Sequence, residues 1–288
     1  MKYVRELSNK NKIVSEHTRE SAHDELNSDY TIKFVFSGAE NCEINKRKLS
    51  IYPDSFAVFN EGTHYHSKID SITPVETLTV SFGKTFINDF HNTILSSDDI
   101  LLDGQPISNK PIFIESLYPF EGDIKYNMLH LKKQLDKGLD NEMLINEYMH
   151  HCLLNYYKIY HKEIVQKIDR LTFSKTKTRE EVLRRLTLAK EYINSNYNQA
   201  ITLEAVADHA CLSVNHLMRT FKEAYEISPY QFLIQLRLNR AKNLLQTTSY
   251  SLTEIVGLVG FECPSSFIRL FKNTFNITPL KYKKSRLN

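Results

Sequence analysis

Leu217-Met218-Arg219-Thr220-Phe221-Lys222 recurs fifty positions later as Phe267-Ile268-Arg269-Leu270-Phe271-Lys272. The offset of fifty also pairs Tyr225 with Phe275, Ile227 with Ile277, and Ser228-Pro229 with Thr278-Pro279. Upstream the offset is forty-nine, and it pairs Leu203, Val206 and Ala207 with Leu252, Ile255 and Val256. A register held over so many positions indicates an internal duplication, with one extra residue between the two halves of the second copy.

Each copy predicts a short helix, a tight turn and a second helix. Side chains that suit the N-cap position precede three of the four helices, namely Thr202, Ser213 and Ser251. The remaining helix starts near Pro264, and Gly260 permits the turn before it. The duplicated unit is therefore predicted to be a helix-turn-helix.

The second helix of each copy has an apolar face and a polar face. Helical spacing turns inward Leu217, Phe221 and Ala224 in the first copy, and Phe267, Leu270, Phe271 and Phe275 in the second. It leaves on the outward or flanking face Asn215, Met218, Arg219 and Lys222, and in the second copy Ser265, Ile268, Arg269 and Lys272. Such a helix fits the major groove, since Arg can bond both acceptors of guanine and Lys can meet phosphate. The alternative is a helical hairpin with a solvated charged face, and the duplication favours DNA binding.

A longer helix is predicted between the two copies, over residues 229–247. Its nineteen residues span about 28 Å at roughly 1.5 Å each, close to the ~34 Å of one DNA turn. The helix could therefore present both copies to successive major grooves on one face of DNA. Arg237 and Arg240 interrupt its apolar pattern, and we expect them to pair with acidic residues or to lie near DNA.

Composition places the chain among soluble globular proteins. It has 288 residues, of which 41% are hydrophobic and 25% charged, and the length suits two domains. No apolar run approaches the roughly 18 residues of a membrane-spanning helix, and residues 1–6 do not resemble a secretory signal. The dispersed Cys42, Cys152, Cys211 and Cys263 suit a reducing compartment. We expect a cytoplasmic protein of two domains with no membrane association.

The charge is unevenly divided along the chain. Residues 183–288 hold 14 Lys and Arg against 7 Asp and Glu, whereas residues 1–182 hold 23 against 27. This division suggests that only the C-terminal part meets a polyanion, and a merely solvated basic surface is the alternative.

The N-terminal part predicts strands followed by helices. Short β-rich segments bounded by turn residues are Tyr30–Phe36, Cys42–Asn45, Lys48–Tyr52, Phe56–Phe59 and Val75–Phe82. They favour a small antiparallel barrel or sandwich. Helical spacing follows over residues 126–135 and 142–171, with an apolar stripe that packs against the barrel or mediates self-association. The predicted domains are 1–171 and 183–288, joined by a polar linker over 172–182.

The C-terminal residues resemble the AraC/XylS family of bacterial transcription regulators, over about 186–286. The most specific segments are Ile255–Phe261, Phe267–Lys272 and Thr278–Tyr282. The family's usual forms of these segments are I-A-x-x-V-G-F, F-x-R-x-F-K and T-P-x-x-Y. The resemblance implies seven C-terminal helices, with two helix-turn-helix units joined by a long linker helix, and double-stranded promoter DNA as the partner.

The resemblance also implies which residues contact DNA. Base contacts are expected near Asn215, Met218 and Arg219 in the first unit and near Pro264, Ser265 and Arg269 in the second. Backbone contacts are expected from Ser213, His216, Lys222 and Lys272. With short side chains at Pro264 and Ser265, we expect Arg269 to carry most of the second unit's base contacts.

Three positions depart from the family pattern. Val256 replaces the usual Ala, so the helix contact there must be looser or shifted. Glu226 and Asn276 replace the usual Gly after each second helix. Asn tolerates a left-handed conformation well and Glu less so.

The N-terminal strands resemble the cupin-type sensor domain common in this family. The fold class expected is therefore α+β, with an N-terminal cupin-like antiparallel barrel plus helices and an all-α C-terminal domain. The resemblance implies a small effector in the barrel, a homodimer formed through the following helices and a contact with RNA polymerase. The residues expected to line the effector pocket are Phe34, Phe36, His64 and His66.

An enzymatic alternative rests on His64 and His66, followed by Asp70. Two His at i and i+2 on a strand point to the same side, and Asp70 could complete a metal triad, with His91 as a further candidate ligand. Pocket-wall or surface histidines are the other interpretation and the one adopted here, so no metal or cofactor is expected. A ligand-independent regulator, whose N-terminal domain only dimerises or binds a protein, is a further alternative. No catalytic motif was found, so we predict a regulator and not an enzyme.

Overall fold

A computed structural model describes residues 2–25, 28–44, 47–95 and 113–284. The chain divides into two compact units, Met1–Val165 and Gln166–Asn288. The first combines antiparallel strands with helices, and the second is helical. Two predicted segments extend beyond the described residues: Asn45 of the second predicted strand, and residues 285–288 of the C-terminal domain. Within the described residues, no helix is both long and apolar enough to cross a membrane.

Across its described residues, the first unit is built on eight antiparallel strands. They are β1 (Lys2–Glu6), β2 (Lys12–Glu25), β3 (Tyr30–Ser37), β4 (Glu40–Ile44), β5 (Arg47–Ile51), β6 (Ser55–Phe59), β7 (Tyr65–Phe82) and β8 (Leu117–Pro119). The pairing order is β1-β2-β7-β3-β6-β8, and β4 pairs with both β5 and β7. The long β7 connects the parts of the sheet, because residues 65–68 pair with β4 and residues 76–82 pair with β3.

The strands bury side chains on both faces. Val35, Ala57 and Phe59 belong to one apolar cluster, which also contains Cys42, Ile44, Leu49, Ile51, Tyr65, Ile69, Val75 and Leu117. We call these residues the inner cluster. On the opposite face the centre of the Phe34 ring lies 5.0 Å from that of Phe120. Both faces of β3 are therefore covered, and residues 30–35 are all buried, including the polar Thr31 and Lys33.

The described residues of the first unit also form the long helices α1 (Lys84–Leu95), α2 (Gly122–Asp136) and α3 (Glu142–Tyr160), the last of which continues into a π-helical turn at His161–Val165. The predicted apolar stripe of α3 packs against the sheet. Ile145, Cys152 and Tyr156 are fully buried, and the Tyr156 ring lies 6.2 Å from that of Phe56. Packing is therefore the role of this part of the stripe.

The second unit consists of successive helices. They are α4 (Gln166–Arg170), α5 (Thr176–Asn196), α6 (Leu203–His209), α7 (Val214–Tyr225), α8 (Pro229–Thr247), α9 (Leu252–Leu258), α10 (Pro264–Phe275) and α11 (Pro279–Lys284). Residues 176–182, expected in a linker, instead form the start of α5. The reason is that Val182, Leu183 and Leu186 bury one helical face that begins inside this polar segment.

Candidate nucleic-acid interface

The first helix pair, α6 and α7, is capped as the sequence predicts. Thr202 Oγ1 accepts a hydrogen bond from the N–H of Ala205 at 3.1 Å, and Ser213 Oγ accepts one from the N–H of His216 at 3.3 Å. Between the helices Cys211 adopts a left-handed conformation with φ of 52°. That conformation went unpredicted, although Cys211 lies forty-nine residues before Gly260, where the second copy turns.

The second helix pair, α9 and α10, repeats this arrangement. Ser251 and Glu254 form a reciprocal capping box at the start of α9. Gly260 turns the chain with φ of +81°, and Pro264 is the first residue of α10. The Leu212 N–H donates to the Ala207 carbonyl at 2.9 Å, and the equivalent Phe261 N–H donates to Val256 at 3.0 Å. Five residues separate α9 from α10 and four separate α6 from α7, so the extra residue lies in the turn, as predicted.

The second helices of the two pairs, α7 and α10, are each twelve residues long and bury equivalent positions. Leu217, Phe221, Phe267 and Phe271 are all inaccessible to solvent. Ala224 is also buried, whereas Leu270 and Phe275, predicted to face inward, are only half-buried. The apolar faces hold each helix in place with its other side in solvent.

Most of the residues expected to contact DNA lie on these solvent-exposed sides. Exposed on α7 and at its cap are Ser213, Asn215, Met218, Arg219 and Lys222, and exposed on α10 are Pro264, Ser265, Arg269 and Lys272. Ile268, predicted on the outward or flanking face, is half-buried. Arg219 Nε lies 3.9 Å from Glu223 Oε1, and 65% of the Arg219 side chain remains accessible. A surface pair at this distance contributes little, so Arg219 can reorient at low cost.

His216 is the exception among the expected contacts. Its ring lies 6.0 Å from the ring of Phe173, and its Nε2 is buried without a hydrogen-bond partner among the described residues. As the N3 residue of α7, His216 points back over the start of the helix. The Nε2 atom therefore does not face solvent in this conformation, and a phosphate contact by His216 stays a prediction.

Both second helices end in left-handed residues that are not glycine. Glu226 has φ of 63° and Asn276 has φ of 57°. Asn accepts this conformation readily, whereas a left-handed Glu costs about 1 kcal/mol. Arg170 Nη1 lies 3.2 Å from Glu226 Oε2 and 3.4 Å from the carbonyl oxygen of Ala224, and these contacts support the end of α7.

The linker helix α8 has the predicted bounds, with Ser228 and Gln231 forming a capping box at its start. Its two arginines contact the end of α5 and the segment that follows it. Arg237 and Arg240 donate to backbone carbonyl oxygens of residues 194–199, and their guanidinium groups lie over the rings of Phe261 and Tyr197. Carbonyls at the end of a helix are unpaired acceptors, which is why they attract guanidinium groups.

The expected effector-pocket residues do not share one site. Phe34 is fully buried on the face opposite the inner cluster, Phe36 is half-buried, and His64 and His66 are exposed. Alternation along β7 is the reason, since Tyr65 is inside and His66 therefore points outside. The structure therefore does not bring these four side chains together, and an effector contact by any one of them stays a prediction.

The His64-His66-Asp70 hypothesis is not supported by the geometry either. His66 Nδ1 lies 2.6 Å from Asp24 Oδ1, and Asp70 Oδ2 lies 3.0 Å from Lys68 Nζ. His91 Nδ1 is 2.6 Å from the hydroxyl of Tyr157. Across residues 2–25, 28–44, 47–95 and 113–284, no group of three His, Cys, Asp or Glu side chains could hold a metal ion.

A buried polar group near the inner cluster was missed by the sequence reasoning. Lys33 Nζ lies 2.6 Å from Glu40 Oε1 and donates to Ser67 Oγ at 3.2 Å, and both charged side chains are almost inaccessible. Burial disfavours the charged form of Lys33, but the Glu40 carboxylate outweighs this effect and raises the pKa of Lys33. The sequence signal that could have indicated this buried pair is a lysine within a strand of β-branched and aromatic residues.

Comparisons with known proteins match the C-terminal part of the chain. Residues 206–285 match a family described as a helix-turn-helix domain. The HTH-type transcriptional regulator ArgR of Pseudomonas aeruginosa is 33% identical over 102 residues, which cover 35% of this chain and 31% of that protein. The lactose operon transcription activator of Staphylococcus xylosus is 26% identical over 153 residues, covering 53% of this chain and 51% of that protein.

Some solved structures are similar to about a third of this chain, and others are similar to nearly all of it. An AraC-type transcriptional regulator from Chromobacterium violaceum is 33% identical, with 35% of this chain and 91% of that one covered and a TM-score of 0.34. ToxT from Vibrio cholerae is 11% identical, with 97% and 99% covered and a TM-score of 0.39.

The first three curated relatives are matched over only about a third of their length. They are named as transcriptional regulators or operon regulatory proteins. The family match over residues 206–285 covers nearly all of the two helix pairs. Capped helix pairs, an exposed basic face and these matches agree on one assignment. Through its DNA-binding C-terminal part, the chain belongs to the AraC/XylS family of transcription regulators.

Proposed function

We propose that the two helix pairs bind successive major-groove segments of promoter DNA and that α7 and α10 are the recognition helices. The observation that carries the proposal is the equivalence of Arg219 and Arg269. Both are exposed, both lie at the sixth position of a twelve-residue helix, and a lysine follows each three residues later. Two copies of one exposed basic pattern suit two similar surfaces on a polyanion.

The contacts are divided between specificity and affinity. Arg219, together with Asn215 and Met218, contacts base edges through α7, whereas α10 presents Arg269 beside the short side chains of Pro264 and Ser265. Ser213, Lys222 and Lys272 contact the phosphate backbone. Arg269 therefore carries most of the sequence preference of the second segment, and the first segment has the richer set of contacts.

We also propose that a small effector controls the first unit, through a cupin-like barrel formed by its strands. Support comes from the Lys33–Glu40 pair, because a buried charged pair with Glu40 Oε2 lacking a described hydrogen-bond partner suits a polar ligand better than a purely structural core. The test is thermal denaturation of the whole chain with a panel of small metabolites. Stabilisation by one compound, lost in Lys33→Met, supports the effector; no stabilisation across the panel favours a dimerisation-only unit.

We also propose a cellular role for the chain. The chain acts in the cytoplasm as a homodimer paired through helices of the first unit, contacts RNA polymerase, and has no catalytic activity. Activation of transcription is the favoured outcome, since the Staphylococcus xylosus relative is named an activator. The DNA-binding domain comprises residues 166–288, following the division between the two compact units.

The experiment that tests DNA recognition is selection of bound duplexes from a random DNA pool at two salt concentrations. Two enriched short motifs about one helical turn apart would support two recognition helices. Higher salt should weaken binding throughout, because phosphate contacts release counterions. Binding without enrichment, by both the whole chain and residues 166–288, would contradict the proposal.

A further inference from the structure

The turn of the second helix pair lies directly against the segment that leads into the first. That segment is Tyr197–Gln199, between α5 and α6, and we call it the entry segment. A Cβ placed on Gly260 would lie 2.9 Å from both the backbone C and the Cα of Asn198. Atoms at this distance would overlap, so only glycine allows the two backbones to approach this closely. The two helix pairs therefore meet through backbone as well as through α8.

Arg237 of the linker helix holds the entry segment with both arms of its guanidinium group. Its Nε donates to the carbonyl oxygen of Tyr197 at 2.7 Å, and its Nη2 donates to the carbonyl oxygen of Gln199 at 2.8 Å. Both distances are those of good hydrogen bonds, and the planar fork of arginine suits two acceptors two residues apart. The entry segment is thereby fixed to the middle of α8.

The same guanidinium group also contacts the second helix pair. Arg237 Cζ lies 5.7 Å from the centre of the Phe261 ring, the residue that follows Gly260 in the turn. The Phe261 ring in turn lies 5.3 Å from that of Phe267, which is fully buried at the start of α10. A chain of contacts therefore runs from the entry segment through Arg237 and Phe261 to the second recognition helix.

Arg240 lies one turn further along α8 and makes a different set of contacts from those of Arg237. Its Nη2 donates to Asn194 Oδ1 at 2.6 Å, and its Cζ lies 3.8 Å from the Tyr197 ring centre. These contacts join α8 to α5 and the entry segment. Arg240 thus secures the helical core, whereas Arg237 joins the entry segment to the turn of the second pair.

We propose that Arg237 is a positioning residue that sets the separation at which the two recognition helices meet DNA. A linker helix alone would leave the second pair free to pivot about the Thr248–Ser251 connection at its end. The Arg237 fork, the Phe261 ring and the close approach of Gly260 remove that freedom. The chain should consequently accept one separation between its two DNA segments and reject others. This inference rests on the proposed function, because it presupposes two DNA-reading helices.

The test compares operators that differ in the separation of their two segments. The duplex found by random selection is rebuilt with one base pair inserted or removed between the segments, and the affinity of the full chain is measured for each form. The variants are Arg237→Ala, Arg237→Lys, which keeps the charge but not the fork, and Phe261→Leu, which removes the ring. Gln235→Ala, an exposed position on the same helix, is the matched control.

The wild type and Gln235→Ala should lose about tenfold or more in affinity when the separation changes, as for a mismatched base pair. Arg237→Ala and Arg237→Lys should bind the original duplex more weakly than the wild type does. Their affinities for the original and the altered separations should differ by about threefold or less. Phe261→Leu should show the same relaxed ratio, and it decides the question if Arg237→Ala does not fold.

Four results would overturn the inference. An unchanged ratio in folded Arg237→Ala or Phe261→Leu would mean that another contact fixes the separation. Full recovery by Arg237→Lys would mean that charge, and not the two-carbonyl fork, is responsible. If the wild type selects no two-segment duplex, the proposed function itself fails and the inference fails with it. If the wild type selects such a duplex yet binds every separation equally well, the inference is wrong and the proposed function still stands.

Discussion

Arg219 and Arg269 are equivalent residues, and each can be tested separately. Replacing either with Ala should reduce specific binding by about 1–3 kcal/mol, because a bidentate contact to guanine is lost, and should change binding to random DNA much less. Arg184→Ala, an exposed arginine of α5 paired with Glu181, is the matched control. Titrations with operator and random duplexes measure both effects. Equal losses of affinity for the operator and the random duplex would contradict the assignment of base contacts to these arginines.

Cys263, directly before α10, offers a chemical probe of the same surface. Polar groups of Ser266 and Ser265 lower the pKa of its thiol, whereas burial raises the pKa of Cys42 and Cys152. Thiolate is the reactive form, so alkylation of Cys263 should reach its plateau at a lower pH than a free cysteine of pKa about 8.5. Operator DNA should slow the reaction.

Peptide mass analysis after timed iodoacetamide treatment measures this protection site by site. Cys211 is also exposed and serves as the internal comparison in the turn of the first pair. Labelling of Cys263 that is as fast with saturating operator as without it would place the start of α10 away from DNA.

The sequence predicted which sides of α7 and α10 are exposed, but it did not predict the contact that His216 makes. Nine of the ten expected DNA contacts are exposed, because the amphipathic spacing of α7 and α10 fixes which side is buried. His216 departs from this pattern since Phe173, distant in sequence, covers its ring. No local pattern encodes a contact between residues so far apart, and the same is true of the carbonyl partners of Arg237.

At the scale of the element, the turn between α9 and α10 depends on one glycine. Gly260→Ala should destabilise the chain by about 1–3 kcal/mol, because its φ is positive and its Cβ would overlap Asn198. Gly257→Ala, inside α9 with no neighbour within 4 Å, is the matched control and should stabilise by about 0.5–1 kcal/mol. Denaturant unfolding measures both, and a Gly260→Ala variant as stable as Gly257→Ala would refute this account of the turn.

The helices were easier to predict than the strands. Caps such as Ser213 and Ser251 and the bounds of α8 follow from local sequence, and the structure has them. The strands β1 and β2 were missed, since residues 12–25 are rich in charged and polar side chains. Pairing with β1 and β7 makes β2 a strand, and the pairing with β7 joins residues far apart in sequence, from Lys12 with Ser81 to Glu25 with Tyr65.

At the scale of the whole molecule, the C-terminal unit should fold and bind DNA on its own. Residues 166–288 contain α4, whose Lys167 Nζ lies 4.5 Å above the Tyr225 ring and whose Arg170 supports Glu226. A fragment of residues 183–288 lacks these contacts and the start of α5. We therefore expect the shorter fragment to have a Tm lower by about 5 °C or more.

Thermal denaturation followed by circular dichroism compares the two fragments. Both retain α7 and α10, so their affinities for operator at a temperature where both are folded should agree within about threefold. Equal melting temperatures would place the domain boundary at residue 183, as the charge distribution alone had suggested, and not at residue 166.

The side chains inside the proposed barrel illustrate what the sequence could not provide. Strand alternation was recognised, but the register that decides which residues face inward depends on pairing across the sheet. Tyr65 pairs with Ile44, which places His64 and His66 outside and leaves Lys33 and Glu40 inside. A one-residue difference in register exchanges the two sets of side chains, so the residues that face inward could be identified only from the fold.

The central claim is that two arginines contact two DNA segments, and guanine methylation interference tests it most directly. Methyl groups at guanine N7 block a bidentate arginine contact. The account predicts two clusters of interfering guanines, about one helical turn apart, with Arg219→Ala abolishing one cluster and Arg269→Ala abolishing the other. A single cluster, or two clusters that respond alike to both variants, would contradict it.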